Sequence, residues 1–157
     1  MKKKSKNIVA YFDGCCEPVN PGGIASFGAV IFMDNKRIWD CSKVFYPVKG
    51  KEEETSNNVA EYNGFIEILN YLKSKKLNKK QITIFGDSKL VIEQMFGDWR
   101  IRKGFYVPFA LSAKKMLIDF PKLKGIWIPR EQNTIADELS KAELVKAGIE
   151  FKIQPKV

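Results

Sequence analysis

Asn7-Ile8-Val9-Ala10-Tyr11-Phe12-Asp13-Gly14 is the stretch whose reading decides the fold. Its apolar run, Ile8 to Phe12, is too short for an ordinary helix and rich in β-branched and aromatic residues, so it reads as a buried strand. The run stops at Asp13-Gly14. An acid at the tip of a core strand is held rigidly where the sheet opens to solvent. In open α/β sheets, ligands bind in the crevices beyond the carboxyl ends of strands. The pattern returns at Ile82-Thr83-Ile84-Phe85-Gly86, which runs into Asp87. Two strands ending in this way suggest two carboxylates side by side.

Outward from the first strand, Cys15 to Gly23 (CCEPVNPGG) is dense in turn formers and is expected as a surface loop. Ala25 to Met33 reads as a second strand, Asp34-Asn35-Lys36 as a tight turn, and Arg37 to Tyr46 as a third strand. Connections this short imply antiparallel neighbours. A charged loop, Pro47 to Glu54, precedes a helix capped by Ser56 or Asn57 and running to about Lys75. Its apolar stripe includes Val59, Tyr62, Phe65, Ile68, Leu69 and Leu72. Glu61 shares a face with Phe65, Ile68 and Leu72, which places a carboxylate on the core-facing side, where a solvated charge does not belong. At the helix's end, Lys73 to Lys80 (KSKKLNKK) is a basic turn whose charge suits the macrodipole.

Past the strand that ends in Asp87, a short helix is expected from Ser88 to Phe96. A loop, Gly97 to Gly104 (GDWRIRKG), then holds Trp99 among Arg100, Arg102 and Lys103. Another helix spans Val107 to Asp119, a last short strand Gly125 to Ile128, and a terminal helix opens at Asn133 and stops at Gly148, with Asp137 in its first turn. The order β-β-β-α-β-α-α-β-α is a mixed α/β layered domain, with the first, fourth and fifth strands parallel because helices link them.

The bulk composition narrows the function. In 157 residues, Lys plus Arg is 27 against 18 for Asp plus Glu, a net charge of +9, which favours polyanionic partners with nucleic acid ahead of membrane. The length fits a single domain over 1–157, with a core over about 7–148 and a short C-terminal tail at 149–157. Three cysteines make no disulfide framework, and the absence of histidine excludes Cys/His zinc sites and His-dependent triads. No run reaches membrane-spanning length and the basic start lacks a signal peptide's apolar core, so a reducing, cytoplasmic compartment is expected.

Asp13, Glu61, Asp87 and Asp137 are the acids at informative positions. Each has a plain structural reading as well: Asp13-Gly14 as a turn pair, Asp87 as a helix cap, Asp137 as a favourable charge at a helix start. Glu61, on an apolar face, is harder to explain structurally. Clustered carboxylates repel one another and cost stability unless they bind a hard cation such as Mg²⁺, which takes a few carboxylates and completes its shell with water and phosphate. Basic charge elsewhere and an acidic, metal-binding cleft are the balance a nuclease needs.

Four segments together resemble type 1 ribonuclease H: Phe12-Asp13-Gly14 with Asn20-Pro21-Gly22, Asn57-Asn58-Val59-Ala60-Glu61-Tyr62, Gly86-Asp87-Ser88-Lys89-Leu90-Val91, and Asn133-Thr134-Ile135-Ala136-Asp137. The resemblance runs from about Asn7 to Leu144 in the family's order. It implies the ribonuclease H-like fold, a five-stranded mixed sheet flanked by helices, and endonucleolytic hydrolysis of the RNA strand of an RNA/DNA hybrid with Mg²⁺ or Mn²⁺. By the same resemblance, Asp13 bridges two metal ions, with Glu61 and Asp87 on one and Asp137 on the other. Substrate contacts map to Cys16, Asn20, Ser56, Asn57 and Lys89, with the two asparagines suited to reading the 2′-hydroxyl and minor groove.

The sequence also departs from the family. Many members carry a histidine before the last acid, associated with product release. Here Pro129-Arg130-Glu131-Gln132-Asn133 fills that loop, leaving Arg130 or Glu131 as stand-ins. The loop from Asp13 to Asn20 is one residue longer than usual, and the basic protrusion is abbreviated to Trp99, Arg100, Arg102 and Lys103. The expected protein is a monomeric enzyme. Its rivals are a broader nuclease on this fold, cutting double-stranded RNA or RNA–DNA junctions, and a catalytically silent nucleic-acid-binding module.

Overall fold

A computed structural model describes residues 7–146 and 148. The expected tail at 149–157 lies outside the described residues. A five-stranded sheet carries the fold, in the order β3-β2-β1-β4-β5. Its strands are β1 (Ile8–Glu17), β2 (Ile24–Met33), β3 (Lys36–Phe45), β4 (Ile82–Gly86) and β5 (Leu123–Trp127). The first three form the expected antiparallel meander, and β1, β4 and β5 run parallel. The β2–β3 hairpin turns on Asp34 and Asn35, whose φ angles of 53° and 66° are those of the tight turn that matches strand twist.

The helices are α1 (Asn57–Ser74), α2 (Lys89–Phe96), α3 (Val107–Met116) and α4 (Thr134–Lys146). One sheet face meets α1, whose Tyr62, Phe65, Ile68, Leu69 and Leu72 are fully buried against Ile8, Ala10, Phe12, Ala29 and Ile31. Burying each of those large side chains stabilises the fold by about 1.5–3 kcal/mol. On the other face α4 packs on β1, β2 and β3. Gly28 makes that approach possible, since a Cβ there would lie 2.5 Å from the Ala136 carbonyl oxygen.

The sheet corrects the reading of the first strand. Cys15, Cys16 and Glu17 belong to β1 and not to a loop, so Asp13 sits within the strand and not at its tip. Pairing with β4 ends at Phe12↔Gly86, whereas pairing with β2 continues from Asp13↔Gly28 to Glu17↔Ile24. The strand therefore runs on as half of a two-stranded ribbon, and Asp13 marks the point where β1 and β4 part. Two smaller differences follow from local geometry. The helix expected to reach Asp119 tightens into a 3-10 turn at Leu117–Asp119, and β5 starts at Leu123 because β4's Ile82 pairs there.

Candidate active site

Three elements deliver three acids to one place. Asp13 comes from the parting of β1 and β4, Glu61 from the second turn of α1, and Asp87 from the residue after β4. One carboxylate oxygen from each lies within 4.8 Å of the other two. Gly14 sets this distance. A Cβ at Gly14 would stand 2.6 Å from the Glu61 backbone nitrogen, so only glycine lets the start of α1 rest on β1. Asp13 is fully buried and Glu61 is 2% exposed, while Asp87 is partly open to solvent.

The helix-cap reading of Asp87 fails, because Ser88 performs that role: its hydroxyl accepts from the Val91 N–H at 3.2 Å. Asp87 is braced instead from β5, where the Trp127 indole N–H donates to the Asp87 carbonyl at 3.2 Å. Lys89, exposed on the first turn of α2, places its ammonium 5.0 Å from the centre of the Trp127 ring. These contacts attach the Asp87 turn to its neighbouring strand.

Asp137 is on the first turn of α4, as expected, but it is not one of the three converged acids. It forms a largely buried ion pair with Lys141 at 3.1 Å, one turn further along. Ser140 links the two sets. Its hydroxyl lies 2.8 Å from the Asp137 carbonyl and 3.5 Å from Asp13 Oδ2, with one proton to share between them. Asn133 fixes the start of α4 to the same region, its side-chain amide donating to the Phe12 carbonyl at 2.8 Å. Sequence reading missed Ser140, Lys141 and Trp127 as parts of the site. The signal for the first two was their spacing of three and four after Asp137, which puts them on one helix face.

The expected substrate-contacting residues divide. Asn20 and Asn57 come together, joining the loop after β1 to the first residue of α1. The Asn57 N–H donates to Asn20 Oδ1 at 3.1 Å, and Asn20 Nδ2 donates to Asn57 Oδ1 at 2.9 Å. Ser56 caps α1 by accepting from the Val59 N–H. Cys16, also expected among the substrate contacts, closes the loop from within. It is buried, with its thiol within reach of the Val19 and Thr55 carbonyls, and burial pushes that thiol's pKa up. Its side chain fastens the loop to the residues before α1. Arg130 and Glu131 are exposed on a 3-10 turn just before α4.

The converged acids suit a hard divalent cation. Ligand oxygens on one Mg²⁺ lie about 3 to 4 Å apart, and those of Asp13, Glu61 and Asp87 all fall within 4.8 Å of one another. Cys15 is an unsuitable ligand despite its position on β1. Burial raises its pKa to about 11, which leaves a neutral thiol near pH 7.

A mixed sheet ordered β3-β2-β1-β4-β5, with acids gathered where β1 and β4 part, defines a ribonuclease H-like domain. The family model described as reverse transcriptase-like matches residues 11–143. "Ribonuclease H" of Francisella philomiragia is 34% identical over 127 residues, which are 79% of this chain and 68% of that protein. The chain belongs to the ribonuclease H family. "Bifunctional protein Rv2228c" of Mycobacterium tuberculosis is 35% identical over 121 residues, which are 77% of this chain. The chain spans only 31% of that protein's length. Rv2228c's N-terminal RNase H domain, solved as a fusion with maltose-binding protein, aligns with a TM-score of 0.76 at 30% identity, over 92% of this chain and 97% of that one. LC11-RNase H1, solved in complex with an RNA/DNA hybrid, aligns with a TM-score of 0.76 at 29% identity, over 89% of this chain and 98% of that one.

Proposed function

We propose that this chain is a divalent-metal-dependent endonuclease that hydrolyses the RNA strand of RNA/DNA hybrids. The convergence of Asp13, Glu61 and Asp87 at the parting of β1 and β4 carries this reading. A binding module gains nothing from buried acids facing phosphates, whereas a nuclease needs them. Relatives named ribonuclease H, and one solved with a hybrid, support the substrate class.

In this reading Asp13, Glu61 and Asp87 hold Mg²⁺ or Mn²⁺, with Asp137 contributing to a second ion. Such ions supply charge stabilisation at the attacking and leaving oxygens of a phosphodiester and lower the pKa of bound water. The protein's own part is positioning. Gly14 keeps Glu61 against β1, Ser140 orients Asp13, and Trp127 steadies the Asp87 turn. The Asn20–Asn57 pair fixes both side-chain amides, and the remaining Asn57 N–H groups face the 2′-hydroxyl or minor-groove acceptors that distinguish RNA from DNA. Ser56 keeps Asn57 in register, Lys89 offers its charge to a nearby phosphate, and Arg130 and Glu131 line the route of product release. Working in the cytoplasm as a monomer completes the proposal.

The test is cleavage of a labelled RNA/DNA hybrid with Mg²⁺ and then Mn²⁺, beside the same sequence as duplex RNA, duplex DNA and single-stranded RNA. Asp87→Asn runs in parallel. Hybrid-selective cutting that requires metal and vanishes in the variant is the expected result. Equal cutting of duplex RNA would replace this reading with a broader nuclease, and tight binding without cutting in either metal would overturn catalysis.

A further inference from the structure

The end of the sheet opposite the acids gathers positive charge. Lys73, Lys75, Lys76, Lys79 and Lys80 are exposed at the end of α1 and in the turn into β4. The parallel pairing of Ile82 with Leu123 sets Lys122 and Lys124 beside them, though more than forty residues away in sequence. β1 also starts at this end, with Ile8 paired to Ile82. Asp119 pairs with Lys73 at 2.6 Å, which cancels both charges, and Asp34 accepts from the Asn7 N–H at 3.0 Å.

The turn that presents these lysines is fixed. The Leu77 N–H donates to the Leu72 carbonyl at 2.8 Å and the Lys80 N–H to the Leu77 carbonyl at 3.1 Å. The Asn78 amide donates to the Asp119 carbonyl at 2.7 Å. The helix macrodipole accounts for one or two cations at the end of α1, not for lysines on a neighbouring strand. At 1.5 Å per residue, α1 separates this surface from the Asn57 end by roughly 25 Å. The lysines and the Asn57 end are thus far enough apart to meet different stretches of nucleic acid.

We propose that this lysine surface binds the phosphate backbone of a second nucleic-acid segment, distinct from the strand pair at the acidic site. It holds the protein on long or folded nucleic acid, through charge and without reading sequence. This goes beyond the catalytic reading and does not depend on it, because binding is measured without cleavage.

The experiment compares Lys75→Glu/Lys80→Glu/Lys122→Glu with a control of equal charge change elsewhere, Lys49→Glu/Lys51→Glu/Lys146→Glu. Both are checked for wild-type circular dichroism. Anisotropy in EDTA measures affinity for a DNA duplex several turns long across a salt series, and for a hybrid one turn long. For the long duplex, the first variant should lose about tenfold in affinity and lower the salt slope by about 2–3, at roughly 0.9 per lost phosphate contact. The control should lose about twofold or less by this account. Affinity for the short hybrid should change equally in both. Equal losses on the long duplex, or no loss, would overturn the proposal. So would unaltered duplex binding with lost binding to vesicles containing phosphatidylserine, which would reassign the surface to anionic lipid.

Discussion

Glu61 and Tyr62 are adjacent on α1 and both are buried, yet they enter polar clusters of opposite character. The Tyr62 hydroxyl donates to Gln94 Oε1 at 2.5 Å, and the Gln94 amide donates to the Arg100 carbonyl at 3.0 Å and the Tyr106 hydroxyl at 3.1 Å. Stacking of the Tyr62 and Tyr106 rings at 5.8 Å completes a cluster in which donors answer acceptors. Glu61 instead meets the carboxylates of Asp13 and Asp87, a gathering of acid on acid in which like charges repel. The first cluster ties α1 to α2 and to the loop before α3. The second costs stability unless a cation joins it. A buried polar group alone therefore says little; whether neutral partners or like charges gather around it separates the cluster that serves the fold from the one that serves chemistry.

The sharpest way to break that contrast is Glu61→Gln. If the acids serve chemistry, hybrid cleavage should fall by about 10²–10⁴-fold, the loss of several kcal/mol of transition-state stabilisation. The metal-free melting temperature should hold or rise, because the amide removes one acid from a set of like charges. A variant that melts much earlier than wild type would make Glu61 a structural residue. Next in size is metal itself. At a hundred times its dissociation constant, Mg²⁺ should stabilise the wild type by about 2.7 kcal/mol in urea unfolding, since it binds the folded state alone. Glu61→Gln should lose most of that gain. Tyr62→Phe is the converse: it leaves a buried Gln94 acceptor without its donor and should cost about 1–3 kcal/mol in the same unfolding experiment. Its cleavage rate per folded molecule should change little, and a large loss there would merge the two clusters into one functional unit.

The two clusters also differ in how visible they were before folding. The strand Ile8 to Phe12, the stripe of α1 and the acid at position 61 follow from periodicity, a local property, and the strand directions follow from which elements are joined by turns and which by helices. Partnership was hidden. Nothing around Gln94 announces Tyr62 and Tyr106 as its partners, because that network closes across three elements. The length of β1 was missed for a related reason. Cys15-Cys16-Glu17 reads as the start of a turn, but β2 is ten residues long and pairs β1 as far as Glu17. Cys16 was placed at the substrate from the motif alone, and the direction of its thiol depends on the Val19 and Thr55 carbonyls it meets.

Asp137 stands between the two kinds of environment, and that yields the smallest and most discriminating test. It is an acid of the expected metal set, yet its carboxylate is paired with Lys141, and both side chains are about 15% exposed. Lys141 therefore acts as a resident cation at the fourth acid, so a metal ion arriving there must compete with an ammonium held one helical turn away. Lys141→Met preserves most of the stem that packs on α4 and removes the charge. If the lysine competes, the Mg²⁺ concentration giving half the maximal stabilisation should fall by about two- to fivefold, the scale of a single ion pair of modest strength. If the lysine instead holds Asp137 in its ligand orientation, the same concentration should rise. The direction of that shift decides whether the ion pair belongs with the balanced cluster at Tyr62 or with the acids at Glu61.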